Sequence, residues 1–482
     1  MKRRAGVVSV VAAVGLACGS IAAGIATAAG GDLDPSFGLG GVVRDDVDGG
    51  GASDVALTPS GRILAVGTAN TQATDAEEGL LEQFSGSGDS DPTYGVIGTV
   101  RDQIVGDPTS LNAVAIRPTG QAVVAGFQKD DEAAGLPERF IVAQYTAAGV
   151  IDTGFSGDGV NSVSFAGGAE GRATDVALYA NGAAMVVGHS TSVGDQDISV
   201  ARFQTNGQID GSFFPSGPGF RTIEGSTAGG GDDRATSVVI DPADGDFIVA
   251  GTADTETADS KVVVARFASP GVPDTGFGGG DGIVRFDVRA TANDVAEDLV
   301  LAPDGRIIVT GSTIVGSDLD HFVARLETDG DLDPTFGDGA DGIFNGNLGG
   351  PDRAFSLARL ADGKVILGGS HSPNAFVARY TAAGLPDTGF VGDGVRDIDF
   401  NDGAATQAVL PLADGKLLAA GSVSNDLFVT RLLADDPPAV VTPVVTPPVA
   451  TPPAQPTPKK CKKGQKLKKG KCVKKKKKKR AA

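Results

Sequence analysis

One pattern recurs seven times along this chain: a tight turn followed by a short apolar strand that ends in glycine. These glycines are Gly67, Gly126, Gly188, Gly251, Gly311, Gly369 and Gly421, at spacings of 59, 62, 63, 60, 58 and 52 residues. A repeated unit of this kind cannot bury its apolar face alone, so neighbouring units must pack against one another. The chain is therefore expected to form an array of similar units.

A second landmark follows each of these strands. It is another strand, such as FVARY, in which large apolar side chains occupy alternate positions. This alternation is typical of a strand with one buried face. In five units an arginine stands between the apolar residues: Arg202, Arg266, Arg325, Arg379 and Arg431.

The third landmark is the pattern Gly-x-x-Asp-x-x-aromatic, which also occurs seven times. Its aspartates are Asp34, Asp91, Asp152, Asp210, Asp274, Asp333 and Asp387. Its aromatic residues are Phe37, Tyr94, Phe155, Phe213, Phe277, Phe336 and Phe390. An aspartate beside a turn commonly accepts backbone N–H groups of its own loop, so we interpret these aspartates as structural. Pairing with the recurrent arginine is a second structural interpretation, and the aromatic residues are expected to pack between units.

Each unit holds about four short strands, joined by Asp-Gly, Asn-Gly or Ser-Gly turns that supply the positive φ of tight hairpins. Four antiparallel strands in each of seven units predict an all-β fold, a seven-bladed β-propeller with repeats of about 60 residues. A right-angled solenoid is the alternative, although stacked coils usually repeat every 20 to 30 residues or so.

The order of the landmarks predicts how the ring closes. The chain opens with a Gly-x-x-Asp-x-x-Phe segment and has no eighth copy after Leu432. We expect each blade to begin at a strand such as ASDVAL and to take its outermost strand from the next repeat. Residues 42–47 would then complete the last blade, residues 405–432, and remove open edges that invite aggregation.

The three landmarks together resemble the delta-60 repeat family of exported bacterial proteins, over residues 31–433. This resemblance implies a β-propeller, but it implies no agreed activity and no established catalytic residues. The C-terminal segment is similar to the lysine-rich endings of exported actinobacterial proteins.

The two ends of the chain differ in composition from the repeats. We divide the chain into a signal peptide (1–28), the propeller (29–436), a Pro/Thr/Val-rich linker (437–458) and a lysine-rich tail (459–482). The basic start, apolar stretch and Ala26-Thr27-Ala28 site indicate secretion, with cleavage before Ala29. An uncleaved membrane anchor and lipid attachment at Cys18 are the alternatives. The predicted location is outside the cytoplasmic membrane, secreted or associated with the cell envelope.

The linker contains nine prolines, which favour an extended polyproline conformation. The tail is too charged and too poor in apolar residues to be expected to fold alone, so the C-terminal extension is predicted to be disordered. Its Cys461 and Cys472 lie in a compartment that permits disulfides, and we predict a bond between them.

Charge is divided sharply along the sequence. All 60 acidic residues lie between Asp32 and Asp436, whereas 15 of the 41 basic residues lie in the last 24 positions and three in the first four. The 23 basic residues that remain leave the body with a formal charge of −37, against +15 for the tail. We expect the tail to bind an anionic cell-wall polymer or lipid headgroups, and we expect no physiological nucleic-acid partner. A solvated tail without a partner is the alternative.

Candidate metal and catalytic residues are few. Asp329, Asp331 and Asp333 imitate the start of a calcium loop, but Pro334 replaces the expected glycine and Ala340 replaces the bidentate acid. We predict no other cofactor. The three histidines lack zinc-binding spacing, and no carboxylate in the sequence is singled out to orient a histidine base.

These observations predict a non-enzymatic, monomeric propeller that acts as a binding or display module. Its own ligand, a protein or a glycan, is not identified by the sequence. The alternative is a secreted hydrolase or lyase that acts on an envelope polysaccharide, although the absence of tryptophan removes the broad aromatic platforms common in sugar binding.

Overall fold

The computed structural model divides the chain into two compact units, Met1–Asp435 and Asp436–Ala482. The residues that it describes are 30–70, 77–102, 104, 109–129, 138–165, 170–192, 194–215, 217–225, 231–254, 259–316, 318–435, 462–463, 465–469 and 471–474. The predicted signal peptide, the linker and Cys461 lie outside these residues.

The first unit consists of seven antiparallel sheets, each with four main strands, and it confirms the predicted seven-bladed propeller. Blade 1 contains β2 (Gly51–Leu57), β3 (Ile63–Asn70), β4 (Glu77–Phe84) and β5 (Thr99–Asp102). Blade 2 contains β6 (Thr109–Ile116), β7 (Ala122–Gln128), β8 (Arg139–Tyr145) and β9 (Val160–Val163). Blade 3 contains β10 (Gly171–Leu178), β11 (Ala184–Ser192), β12 (Asp195–Phe203) and β13 (Phe220–Ile223).

The next three blades repeat this order. Blade 4 contains β14 (Asp233–Ile240), β15 (Phe247–Asp254), β16 (Ser260–Ala268) and β18 (Ile283–Phe286), with the two-residue strand β17 (Val272–Pro273) beside β16. Blade 5 contains β19 (Asp294–Leu301), β20 (Ile307–Val315), β21 (Asp318–Leu326) and β22 (Ile343–Gly346). Blade 6 contains β23 (Asp352–Arg359), β24 (Val365–His371), β25 (Asn374–Tyr380) and β26 (Val395–Ile398). A 3-10 turn, Gly278–Gly280, precedes β18.

Blade 7 closes the ring with strands from both ends of the repeat region. It contains β27 (Ala404–Pro411), β28 (Leu417–Val423), β29 (Asp426–Leu432) and β1 (Val42–Asp45). The first strand pairs antiparallel with β29, with Val43 opposite Val429. This pairing confirms the predicted closure and leaves β29 without an open edge.

The first strand of each blade is the innermost one. These strands contact their counterparts in the adjacent blades around the whole ring, and the last contact joins β2 to β27. Each of them carries a register shift at the same place, for example between Ala52 and Asp54 in blade 1. The apolar residues of neighbouring blades form seven separate buried clusters, so the core of this propeller lies between blades.

In the second unit the described residues form one short antiparallel hairpin, which composition alone did not predict. Its strands are β30 (Gln465–Lys468) and β31 (Lys471–Lys474). Cys472 is disulfide-bonded, while Cys461 lies outside the described residues, so the pairing of these two cysteines stays a prediction. Across the described part of the chain, no helix is long and apolar enough to cross a membrane.

Candidate functional site

The recurrent aspartate joins the two elements that flank its turn. In blade 5, Asp333 Oδ1 accepts the backbone N–H of Thr335 at 2.9 Å, two residues ahead in its own loop. Its Oδ2 accepts Arg325 Nε at 2.7 Å and Arg306 at 2.9 Å. Both structural contacts considered from the sequence therefore meet on one carboxylate.

The other six units repeat this arrangement with small differences. In every unit Oδ1 accepts the N–H two residues ahead; the acceptors are Asp34, Asp91, Asp152, Asp210, Asp274 and Asp387. Each of the five recurrent arginines forms an ion pair with the aspartate of its own blade. In blade 7 this aspartate is Asp34, which precedes β1 and pairs with Arg431. Asp91 pairs with Arg62 instead, and Asp152 accepts the amide of Gln144 at 2.7 Å.

These contacts lower the pKa of Asp34 and of Asp333 well below the usual range of an aspartate. Burial opposes this shift, but hydrogen bonds from Lys416 and Ser36 at Asp34, and from Thr335 and two arginines at Asp333, outweigh it. Asp333 has no exposed surface because its partners cover it just beneath the protein surface. Both carboxyls stay ionised inside the blade, and their oxygens are taken up by protein donors.

The recurrent aromatic residues are all buried and lie at the contact between blades. Tyr94 of the first repeat packs under Gly149 of the next one, where a Cβ atom would come within 2.9 Å of the ring. Gly149 also has a positive φ of 76°, so two constraints select glycine at this position. The recurrent arginine also lies over several of these rings. In blade 5 the guanidinium carbon of Arg325 is 4.6 Å from the centre of the Phe336 ring, which is a cation–π contact.

The calcium candidate does not assemble into a ligand set. Asp333 is bound to two arginines, and Asp329 Oδ1 accepts the N–H of Asp331. The three carboxylates do not bring one oxygen each within 4.8 Å of one another, whereas Asp197, Glu224 and Asp233 do. Acidic side chains commonly gather on an acidic protein without a metal ion, so we assign no ligand to either group.

The residues most suited to chemistry lie between blades 5 and 6. His321 Nδ1 lies 2.5 Å from Asp352 Oδ1, and His321 Nε2 lies 2.5 Å from the Tyr380 hydroxyl. His321 and Asp352 are fully buried and Tyr380 is almost so. Because a carboxylate can only accept, the imidazole donates a hydrogen bond to Asp352 through Nδ1–H. Its Nε2 then carries no proton and accepts a hydrogen bond from the Tyr380 hydroxyl. Burial raises the pKa of Tyr380, which keeps its hydroxyl neutral.

This network forms part of the wall of a cavity of about 310 Å³. His371, Asn347 and Asp397 supply further polar side chains to the cavity, and Phe344 and Leu348 supply apolar ones. His371 Nδ1 lies 3.7 Å from Asp397 Oδ1. A cavity of this size, apolar in part and with convergent polar groups, has the character of a small-molecule site.

The network depends on two residues that differ from their counterparts in the other blades, His321 and Gly346. The residues that match His321 in the other blades are Gly79, Phe140, Ile198, Val262, Ala375 and Leu427. His321 pairs with Gly346, and a Cβ atom there would collide with the imidazole ring. The sequence analysis found no carboxylate that orients a histidine; the structure supplies Asp352, whose other oxygen accepts the N–H of Leu348 at 2.8 Å.

A second set of polar side chains lies around the centre of the ring. Asp54, Asp175 and Asp298 occupy the register shift on the innermost strands of blades 1, 3 and 5. Each carboxylate bridges to the backbone of the next blade, as Asp54 Oδ2 does to Val114 N at 2.8 Å. The Ser237 hydroxyl lies 2.8 Å from Asp298 and 3.2 Å from Asp175.

The pKa values of these central carboxyls are raised. Burial among protein atoms, although each residue keeps partial solvent access, raises the pKa of Asp54 and of Asp298 to about 7. The nearby Asp175 adds to both shifts, and burial raises the pKa of Asp175 itself. The backbone bonds that each of the three accepts oppose the change.

Comparisons with known proteins support the fold. Three segments, residues 184–213, 302–336 and 344–390, match the family described as "Domain of unknown function (DUF5122) beta-propeller". The repeats of this chain are β-propeller repeats. The matched segments lie in blades 3, 5 and 6, and their landmarks recur in the other four blades. No curated protein matches the sequence.

Solved structures resemble this chain only distantly. The polysaccharide lyase Uly1 aligns with a TM-score of 0.49 and 10% identity, over 80% of this chain and 90% of the lyase. A protein of unknown function from Dyadobacter fermentans aligns with a TM-score of 0.42 and 14% identity, over 67% and 94% of the two chains. Sqt1 from Chaetomium thermophilum aligns with a TM-score of 0.43 and 13% identity, over 82% and 100%. Similarity at this level carries no argument about what this chain binds.

Proposed function

We propose that this chain is an exported, non-enzymatic β-propeller that acts as a binding or display module and is tethered to the cell envelope by its cationic tail. The observation that carries the proposal is the segregation of charge, with 15 basic residues in the last 24 positions after a body of formal charge −37. Each basic residue near an anionic surface contributes about 1 kcal/mol of attraction, whereas the acidic body is repelled by the same surface.

The linker suits this arrangement. In the polyproline conformation that its nine prolines favour, this segment of 22 residues would span roughly 70 Å, at about 3.1 Å per residue. Such a spacer keeps the acidic propeller away from an anionic surface while the tail stays bound. Delta-60-type repeats and a signal peptide, both expected from the sequence, agree with a location outside the cytoplasmic membrane.

Removal of residues 459–482 is expected to abolish binding to isolated cell envelopes. Binding by the full chain should fall steeply as salt is raised, because exposed charges are screened over about 8 Å at physiological ionic strength. A tail with every lysine replaced by arginine should still bind, and one with glutamine should not. Teichoic acid and anionic vesicles, offered separately, distinguish a wall polymer from a lipid surface. Unchanged binding after the deletion would refute the tether.

One observation favours the alternative of a hydrolase or lyase acting on an envelope polysaccharide. The hydroxyl of Tyr380 is held by a histidine whose tautomer is fixed by Asp352, beside a cavity that could admit part of a polymer. A proton can pass from Tyr380 to His321, and Asp352 would stabilise the imidazolium that forms. Because burial raises the pKa of Tyr380, no free phenolate is formed; the hydroxyl oxygen would take a substrate proton in the same step in which its own proton passes to His321.

For this alternative we expect Tyr380→Phe to lower the release of soluble sugar from envelope polysaccharide by about a hundredfold, since a positioned acid or base contributes at least this much. Tyr145→Phe is the matched control, because Tyr145 is equally buried and its hydroxyl donates to Asp102 at 2.9 Å outside this network. If the unaltered chain releases no sugar from any fraction, the enzymatic alternative fails.

A further inference from the structure

One cavity of the propeller lies where the ring closes. It has a volume of about 720 Å³ and is bounded by the end of β1, by β5 with the loop before it, and by the start of the loop after β8. The seam between blades 7 and 1 therefore opens into this cavity, which we name the seam cavity. Its wall includes four carboxyl groups and a single guanidinium: Asp45, Asp46, Glu82, Asp102 and Arg101.

Glu82 breaks the repeat. The residues at the same position in blades 2 to 6 are Ala143, Ala201, Ala265, Ala324 and Ala378. A carboxyl group in place of this alanine is 1% exposed, and its Oε2 has no hydrogen-bond donor within reach in the described part of the chain. A carboxyl group is rarely buried without hydrogen-bond partners for its oxygens, so these partners must come from a neighbouring side chain or from a ligand.

The nearest partner of Glu82 is another carboxyl group: its side chain is hydrogen-bonded to that of Asp45, which requires a proton held between the two groups. Thr99 lies 3.5 Å from the other oxygen, Oε1. Arg101, the only cation among the described residues of the wall, is directed to Asp48 at 3.3 Å. Burial, and next the neighbouring Asp45, raise the pKa of Glu82 to about 9. Glu82 is therefore protonated at neutral pH, and the seam cavity holds a removable proton.

The rest of the wall is apolar and accessible. Val96 is 78% exposed and Val150 is 59% exposed, and Val100 and Ile151 lie beside them. Such a surface suits the methylene groups of an aliphatic chain, as the stem of a lysine side chain lies along apolar surface while its head stays with polar groups. A ligand with a cationic head and an aliphatic stem matches both parts of the wall.

We propose that the seam cavity binds a primary ammonium group on an aliphatic chain, with Glu82 and Asp45 accepting the ammonium and the valines contacting the stem. This inference rests on the proposed binding role of the propeller and gives that role a ligand class. An anion is disfavoured by four carboxyl groups against one guanidinium. A metal ion is disfavoured because these carboxyls do not form a three-ligand cluster, unlike the one described group that does.

In the proposed binding step, the ammonium group of the ligand replaces the proton of Glu82. The ammonium enters with its charge, Glu82 releases to solvent the proton that it shares with Asp45, and N–H groups of the ligand donate to both carboxylates in its place. Because the proton must leave, affinity should rise with pH up to the pKa of Glu82, about 9. The affinity should fall again above about pH 10.4, where an alkyl ammonium of the lysine type loses its own proton.

Calorimetric titration of the full chain with 1,5-diaminopentane tests the proposal. In two buffers of different ionisation enthalpy at pH 7, binding should release about one proton per ligand. Glu82→Gln should remove the proton release and lower the affinity about tenfold or more, because it removes a charge-assisted bond. Glu82→Ala, which gives blade 1 the alanine of blades 2 to 6, should do the same and preserve folding.

The controls separate this inference from the tether. Glu78→Ala removes a carboxyl from the same strand at a position outside the cavity wall, and it should leave binding unchanged. N-acetyl-lysine amide in place of the diamine distinguishes a polypeptide side chain from a free amine as the source. The titration is repeated without residues 459–482, whose lysines compete. Absence of amine binding, or binding that Glu82→Gln does not alter, overturns the inference and leaves the tail experiment unaffected.

Discussion

Replacing Asp333 by alanine is expected to lower the free energy of unfolding by about 3 kcal/mol, the lower end of the cost of breaking a buried ion pair. The substitution leaves Arg325 and Arg306 without their shared acceptor and frees the N–H of Thr335. The lower end applies because the carboxylate, although covered, lies close to the protein surface. Urea unfolding followed by circular dichroism measures the change.

Asp152→Ala in blade 2 is the matched control. Its carboxylate also accepts the N–H two residues ahead, but Gln144 replaces the recurrent arginine. The donors lost there are uncharged and no ion pair is broken, so the cost should be about 1.5 kcal/mol, the lower end for hydrogen bonds to a charged group. Equal losses in both variants would show that the loop contact alone, and not the ion pair, stabilises the repeat.

The stability of the propeller is expected to be highest near pH 4 and to fall as the pH rises to about 7. The folded chain holds protons on Asp54 and Asp298 up to about pH 7, whereas the unfolded chain releases them near the ordinary value of 3.8. Their contribution is complete below pH 3.8 or so and is lost as the pH rises through 7. Each unit of pKa difference between the folded and unfolded chain is worth about 1.4 kcal/mol. Deprotonation of the two groups together should therefore lower the free energy of unfolding by several kcal/mol.

Acid destabilises the chain through other carboxyls. The pKa values of Asp34 and Asp333 are lowered, so their contribution is present above the ordinary value and is lost as the pH falls below it. Thermal melting from about pH 2 to about pH 9 tests both limits. Asp54→Asn should flatten the fall between pH 4 and 7; the slope is the readout, because the amide also loses one backbone bond. An unaltered slope in this variant would contradict the assignment.

The repeat made most of the architecture predictable. The spacing of the seven glycines predicted seven blades, and the missing eighth copy predicted that residues 42–47 close the ring, as β1 does against β29. These inferences succeed because the landmarks repeat a local requirement in every unit: a turn, an alternating strand and a capped loop. The aspartates could be interpreted from one loop, since each accepts a bond two residues ahead.

The candidate sites could not be predicted in the same way. His321, Asp352 and Tyr380 are separated by up to 59 residues, and none of them stands in a recognisable motif. A signal was present, however, because His321 and Glu82 each depart from positions where most of the other repeats carry small or apolar residues. Comparison of aligned repeats would have found both residues, but it would not have shown what they contact.

The sequence by itself determined the number of blades, the course of the strands and the division of charge between body and tail, since these depend on local periodicity and composition. Only the tertiary structure decided which exceptions to the repeat meet. Asp45 from the N-terminal strand reaches Glu82 because ring closure places blade 7 against blade 1. Contacts between blades depend on packing distances across the ring, and no spacing along the chain encodes them.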